Sequence, residues 1–296
     1  MSWQVSFREG FFVNNFEPRW FLRHRPSVKK VFAPLFSKSG YFLLQQQFEL
    51  LLCATQFLTR IPIPPQPGFS ADWINRSARY FPLVGQFVGL VAAMVLLLAA
   101  QFWSGFIAGL LALLTAVLIT GALHEDGLAD TADGLGGGRD AAHRMAIMKD
   151  SRIGTYGVLA LGFGTALKLV SLASLSPWTA AWSLVAAHGV ARAATVAVMH
   201  ALPYAGDEAT AKLSTRTSPP SLNEVFAALA LSAWPLLFLN SAKAFLGLAI
   251  CATLTLAMAL SARRLIGGQR GDILGAVEQL CEAGFLLGCA AHIGMT

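Results

Sequence analysis

The sequence predicts an all-α, polytopic membrane protein, and three observations predict it. Hydrophobic residues make up 55% of the 296-residue chain and charged ones only 13%, with a mean hydropathy of +0.57, too apolar for an ordinary soluble domain. Apolar runs of spanning length recur along it, where about 20 residues cross a hydrocarbon core of roughly 30 Å. These runs are rich in Leu and Ala without strand-like alternation. A backbone in lipid must satisfy its own hydrogen bonds, so helices are expected rather than a barrel.

Residues 1–45 form a basic and aromatic extension, in which seven Lys and Arg accompany Phe11, Phe12, Trp20, Phe21 and Phe36. They lack the apolar core and cleavage site of a signal peptide, and their composition suits either an anionic bilayer surface or a poorly ordered extension. Residues 46–296 read as a membrane-embedded catalytic domain. It opens with a short interfacial or re-entrant helix at 46–60, stopped by the proline-rich IPIPPQPGF at 61–69. Spans are expected at roughly 83–103, 105–123, 155–175, 178–201, 222–240 and 243–261, with a weaker one at 279–294, which makes six to eight helices.

The short turns WSG, SLSPW and NSAK join the strong spans pairwise as hairpins. The longer segments 124–154, 202–221 and 262–278 therefore share one side with the N-terminal region. That side holds 19 of the 22 Lys and Arg, whereas Lys243 lies in a far turn and Lys168 and Arg192 fall inside spans. The positive-inside rule makes the shared side cytoplasmic. Cys53, Cys251, Cys281 and Cys289 form no C-x-x-C pair and are expected as small buried residues. His188, His200 and His292 are expected to pack between helices.

The acidic residues cluster. HEDGLADTADGLGGG at 124–138 brings Glu125, Asp126, Asp130 and Asp133 together directly after an apolar run. Asp126, Asp130 and Asp133 fall at i, i+4 and i+7, which is one face of a helix. Like charges so close repel, and a divalent cation relieves them. Hard carboxylate oxygens suit Mg²⁺, which keeps positions open for phosphate oxygens. A plain solvated acidic face is the alternative, but Gly127 and Gly134 weaken the helix with no evident packing need. In IMKDSRIGTYG at 147–157, Lys149, Asp150 and Arg152 offer one more carboxylate and two phosphate-binding cations, the set that phosphoryl transfer uses. GGQRGDILGAVEQL at 267–280 places Arg270, Asp272 and Glu278 at the same membrane face.

LHEDGLADTADGL, MKDSRIGTYG, ALPYA and GDILGAVEQL, in this order and spacing and with QFLTRIPIP at 56–64, resemble the cobalamin synthase family, adenosylcobinamide-GDP ribazoletransferase. The resemblance covers roughly residues 46–296. Residues 1–45 lie outside it, Arg270 stands where the family has a threonine, and LPYAGDEA lacks an arginine after its first alanine. It implies a multi-pass enzyme of the bacterial inner membrane, with its active site facing the cytoplasm. The implied reaction joins adenosylcobinamide-GDP to α-ribazole or α-ribazole 5′-phosphate, giving adenosylcobalamin or its 5′-phosphate plus GMP. This is the final assembly of the cobalamin nucleotide loop. Mg²⁺ is the implied cofactor, the lipid bilayer the implied surroundings, no nucleic-acid partner is expected, and a homo-oligomer is compatible with it.

On this resemblance Asp126, Asp130, Asp133 and Asp150 hold the metal, and Lys149 and Arg152 neutralise phosphate oxygens. Asp133 or His124 takes the proton of the attacking ribose hydroxyl. Lys168, Arg192, Arg270, Asp272 and Glu278 contact substrate. Two other classes fit less of the chain. DGLADTADG is similar to the motif of CDP-alcohol phosphotransferases, but Asp130 occupies its arginine position and the second half is missing. A divalent-cation transporter carries acids near the midplane in related repeats, whereas these gather at one membrane edge.

Overall fold

The computed structural model describes residues 38–64, 73–206 and 219–292, and among them there are helices, one isolated β-bridge and no strand. The all-α expectation holds. The chain divides into two units, 1–49 and 50–296. Residues 1–37, with the aromatics expected at a bilayer surface, lie outside the described residues, as do 65–72 of the proline-rich break. The described part of the first unit is the opening of helix α1, Lys38–Leu58, where Gln45 Nε2 donates to Glu49 Oε1 one turn on at 3.0 Å. This helix begins earlier than the expected 46–60.

In the second unit α2 (Trp73–Ser77) and a 3-10 turn (Ala78–Tyr80) lead into α3, Phe81–Ala99. Pro82 sits in the first turn of α3, where its missing N–H has no helical partner to lose. A short turn returns the chain along α4, Gly105–Thr120. Gly121 and Ala122 then take left-handed conformations, with φ of 68° and 60°. The chain bends by 91° into α5, Leu123–Gly137. With its acidic residues α5 lies outside the spans, across one end of the bundle.

Asp140 caps α6 (Ala141–Met148) by accepting from His143 N at 2.9 Å. The next hairpin is α7 (Thr155–Ala173) and α8 (Pro177–Ala201). A Ser221–Glu224 capping box starts α9, Leu222–Ala233, which tightens into a 3-10 turn at Trp234–Phe238. α10 runs Ser241–Ile266 and α11 Gly271–Ala290.

Among the described residues five helical segments are long and apolar enough to cross a membrane, and the 16-residue α4 counts as a sixth only when taken together with α5, from which it is bent by 91°. Two expected spans are corrected. The span expected at 222–240 is a shorter apolar segment, Leu222–Phe238, whose α-helix stops at Ala233 just before Pro235. The weak run at 279–294 is instead a full helix starting at Gly271, and 78% of its apolar window is buried. Its polar residues face protein rather than lipid, and this lowered its hydropathy signal.

α11 and α8 form the centre. α8 packs on α3, α9 and α11, while α11 packs on α10, α5 and α7. The outer helices α3, α7 and α10 turn Leu98, Phe163 and Phe245 outward, as lipid contact requires. The cysteine expectation is corrected for one pair: a disulfide joins Cys251 on α10 to Cys281 on α11, with Cα atoms 4.4 Å apart. Their separation of 30 residues in sequence concealed the pairing. Cys53 and Cys289 are free and buried. At the α5 end of the bundle, Ala205 N donates to Gln269 O and Gln269 N to Pro203 O, both at 2.8 Å. The ALPYA and GGQRGD segments therefore meet.

Candidate active site

α5 reaches its position by crossing α11 at a pair of glycines. A Cβ on Gly127 would lie 2.9 Å from Asp272 O and 3.1 Å from Gly275 Cα, so only glycine allows this approach. The glycine that seemed without a packing need therefore has one. The crossing brings Asp272, in the first turn of α11, to the acidic face of α5. Asp126 is exposed, Asp130 half-buried and Asp133 buried. Arg270 Nε holds Asp272 Oδ2 at 2.9 Å.

Crowding shows in the titration of Asp130, whose carboxyl is pushed up to about 7 by burial and then by the charges of Asp126, Asp272 and Asp133. Arg270 acts against this. Hard carboxylate oxygens suit a divalent cation such as Mg²⁺, but among the described residues no three of these carboxylates bring oxygens within 4.8 Å of one another. The sign of its pH dependence follows. If Asp130 is a ligand of a divalent cation, uptake needs its carboxyl deprotonated, so Mg²⁺ affinity should be full well above pH 7. It should fall by up to about tenfold per unit as pH drops below 7. Titrations of purified protein with Mn²⁺ between pH 5.5 and 8.5 check this, and a flat profile would remove Asp130 from the cation's ligands.

The second motif reaches the same place by way of Asp133, which accepts hydrogen bonds from Gly154 N at 2.7 Å and Gly157 N at 2.8 Å. The Lys149–Arg152 segment therefore ends at α5. Asp150 does not join the acidic group as expected. It is gripped by Arg152 through Nε and Nη2, the latter at 2.6 Å, and by the Arg152 backbone N–H at 3.1 Å. These bonds hold its carboxyl below the ordinary range. Its place among the carboxylates around Asp130 is taken by Asp272, expected as a substrate contact. Lys149 and Arg152 are exposed.

Lys168, Arg192 and Glu278, also expected as substrate contacts, lie instead inside the bundle. They are 5%, 1% and 0% exposed. Arg192 Nη1 is 2.6 Å from Glu278 Oε1 and 3.1 Å from Glu282 Oε1. Lys168 Nζ donates to Gln279 Oε1 at 2.6 Å and to Glu282 Oε2 at 3.3 Å. Gln279 Nε2 donates to both Glu278 and Glu125, tying the interior to α5. His124 faces this network, 3.9 Å from Glu278 and 7% exposed. Asp126 lies two residues on, about 200° around the helix. His124, expected as a possible proton acceptor, thus turns its ring to the interior network and away from Asp126.

Sequence reading missed Glu282, Gln279 and His188 as members of this network. The available signal was an ionisable residue at i+4 from Glu278 in an apolar helix. A cavity of about 30 Å³ lies among these groups. His188, Glu278 and Glu282 bring ligand atoms within 4.8 Å of one another, but the Arg192 guanidinium already supplies the positive charge there.

Fold and site together define a polytopic membrane protein with a carboxylate-crowded helix at one end of its bundle and basic residues beside it. The profile of the Cobalamin-5-phosphate synthase family matches residues 50–290, and the chain belongs to that family. It is 43% identical over 263 residues to the adenosylcobinamide-GDP ribazoletransferase of Leptothrix cholodnii, an alignment covering 84% of this chain and 98% of that protein. It is 42% identical over 250 residues to the protein of the same name from Shewanella frigidimarina, covering 82% and 95%. No solved structure matches the chain.

Proposed function

We propose that this chain is an adenosylcobinamide-GDP ribazoletransferase. In this reading it joins adenosylcobinamide-GDP to α-ribazole or α-ribazole 5′-phosphate and releases GMP. The observation that carries the reading is the crowding of Asp126 and Asp272 on Asp130, with the loop of exposed Lys149 and Arg152 anchored to the same helix through Asp133, in a chain of this family.

Asp126, Asp130 and Asp272 would hold Mg²⁺, which when bound supplies positive charge to the diphosphate oxygens. Lys149 and Arg152 neutralise the remaining non-bridging oxygens, and Arg152 does so by exchanging Asp150 for phosphate. The ribose hydroxyl attacks the phosphorus on the cobinamide side, the phosphorus–oxygen bond to GMP breaks, and the hydroxyl proton is lost. In a loose phosphoryl-transfer transition state that proton leaves late, so the solvent-open face at Asp126 can pass it to water. Neither Asp133, with both oxygens occupied by backbone N–H groups, nor the inward-facing His124 is needed to accept it.

The deciding experiment measures GMP release from adenosylcobinamide-GDP and α-ribazole by purified protein in proteoliposomes, with divalent-cation flux followed in the same vesicles. Release that depends on α-ribazole supports the transferase, and flux without release would overturn it. The positive-inside bias of 19 in 22 basic residues supports reading this site as facing the cytoplasm. A thiol label at Arg139→Cys should then be reached only from the cytoplasm, and one at Ser176→Cys only from outside. Labelling with the opposite sidedness would invert the orientation.

A further inference from the structure

Asp133 belongs by spacing to the acidic face, but its surroundings give it different work. Helix α7 begins at Gly154, its N-cap, which has no side chain to satisfy the first free N–H groups of the helix. A carboxylate 21 residues upstream supplies what the cap lacks. Asp133 Oδ2 accepts from Gly154 N at 2.7 Å, and Oδ1 accepts from Gly157 N at 2.8 Å. Both glycines leave room for it, since a Cβ at either position would stand 2.5 Å from an Asp133 oxygen.

The chain between is also folded back on α5. A Cβ at Gly134 would lie 2.5 Å from Met148 Cγ, and one at Gly136 would lie 3.0 Å from the Tyr156 ring. Met148 is buried, so the short stretch carrying Lys149 and Arg152 is pinned to α5 just before Lys149 and again at Gly154.

We propose that Asp133 is a positioning residue, which docks the Lys149–Arg152 loop beside Asp126 and Asp130, and that it is not a ligand of the cation. The inference rests on the reading that Asp126 and Asp130 bind a divalent cation. It makes the loop's phosphate-binding charges depend on a hydrogen-bonded lock between α5 and α7. Asparagine at 133 keeps one acceptor and sets an amide N–H against the second backbone donor, so half of the lock is lost.

The test compares Asp133→Asn with Asp130→Asn, using Mn²⁺ as the probe and full-length purified protein. Asp133→Asn should bind Mn²⁺ within about threefold of wild type, whereas Asp130→Asn should weaken it by about tenfold or more. KM for adenosylcobinamide-GDP should rise about tenfold in Asp133→Asn, and this rise should vanish in a Lys149→Ala, Arg152→Ala background, because the residue acts through that loop. Loss of Mn²⁺ affinity equal to that of Asp130→Asn overturns the proposal, and so does a KM effect that adds fully to the loop variants. Normal Mn²⁺ binding by Asp130→Asn would remove the cation reading instead, and the KM cycle would still decide Asp133. Should Asp133→Asn fail to fold, Gly157→Ala pushes the carboxylate off α7 with every charge retained. It should reproduce the KM rise at unchanged Mn²⁺ affinity, and a fall in that affinity would overturn the proposal.

Discussion

Asp130→Asn is expected to lower GMP release by about 10³-fold, the scale on which losing a charge-stabilising group weakens a phosphoryl-transfer transition state. The substitution keeps size and hydrogen bonding and removes one charge. Asp130 is the carboxylate on which Asp126, Asp272 and Asp133 all press. Removing its charge relieves repulsion, so the fold should be unharmed or slightly steadier while activity collapses. That opposition separates the cation reading from a solvated acidic face, on which the change would leave turnover near normal. The measurement is steady-state GMP release over a Mg²⁺ and Mn²⁺ titration, with partial rescue at high metal expected. Asp140→Asn is the control, because Asp140 caps α6 and asparagine caps a helix about as well. Wild-type rates for Asp130→Asn at limiting Mg²⁺ would end the assignment.

Arg192→Met is expected to destabilise the bundle by about 3–5 kcal/mol, the cost of leaving a buried ion pair without one partner. Arg192 is 1% exposed and stands between Glu278 and Glu282, both also buried. Without it two carboxylates share the interior with Lys168 as the cation in contact. Thermal unfolding in detergent should show a lowered transition, and adding Glu278→Gln should recover much of the loss by removing the charge left unpaired. Glu282 would still keep Lys168 and His188 as partners. Lys243→Met, in the first turn of α10, should change little. A near-normal transition for Arg192→Met would show that the network contributes little to folding.

The two predictions touch clusters of different legibility. Spacing alone placed Asp126 and Asp130 on one helix face, because helical periodicity is local and α5 is a regular helix. The same spacing included Asp133, but could not show that its carboxylate turns to α7 and closes a helix N-terminus 21 residues away. Asp150 and Asp272 exchanged places for a similar reason. Nearness in sequence to Arg152 occupies Asp150, whereas Asp272 arrives through a crossing that two glycines permit. Lys168, Arg192 and Glu278 could be read as ionisable groups in or beside apolar helices, but whether they face substrate or one another depends on three helices meeting.

The sequence by itself determined the all-α membrane class, most of the spans, the hairpin order, the family and the acidic helix. These depend on composition, local periodicity and ordered motifs, which one strand of text contains in full. Only the tertiary structure decided the partners: Asp272 beside Asp130, Asp133 under α7, the disulfide between Cys251 and Cys281, and the buried pairing of Arg192. It also decided that α11 is a central helix rather than a weak final span. The physical reason is that lipid and hydrogen bonding act on each helix along its own length. Charge compensation and close glycine crossings instead act between helices far apart in the chain, where the sequence carries no distance.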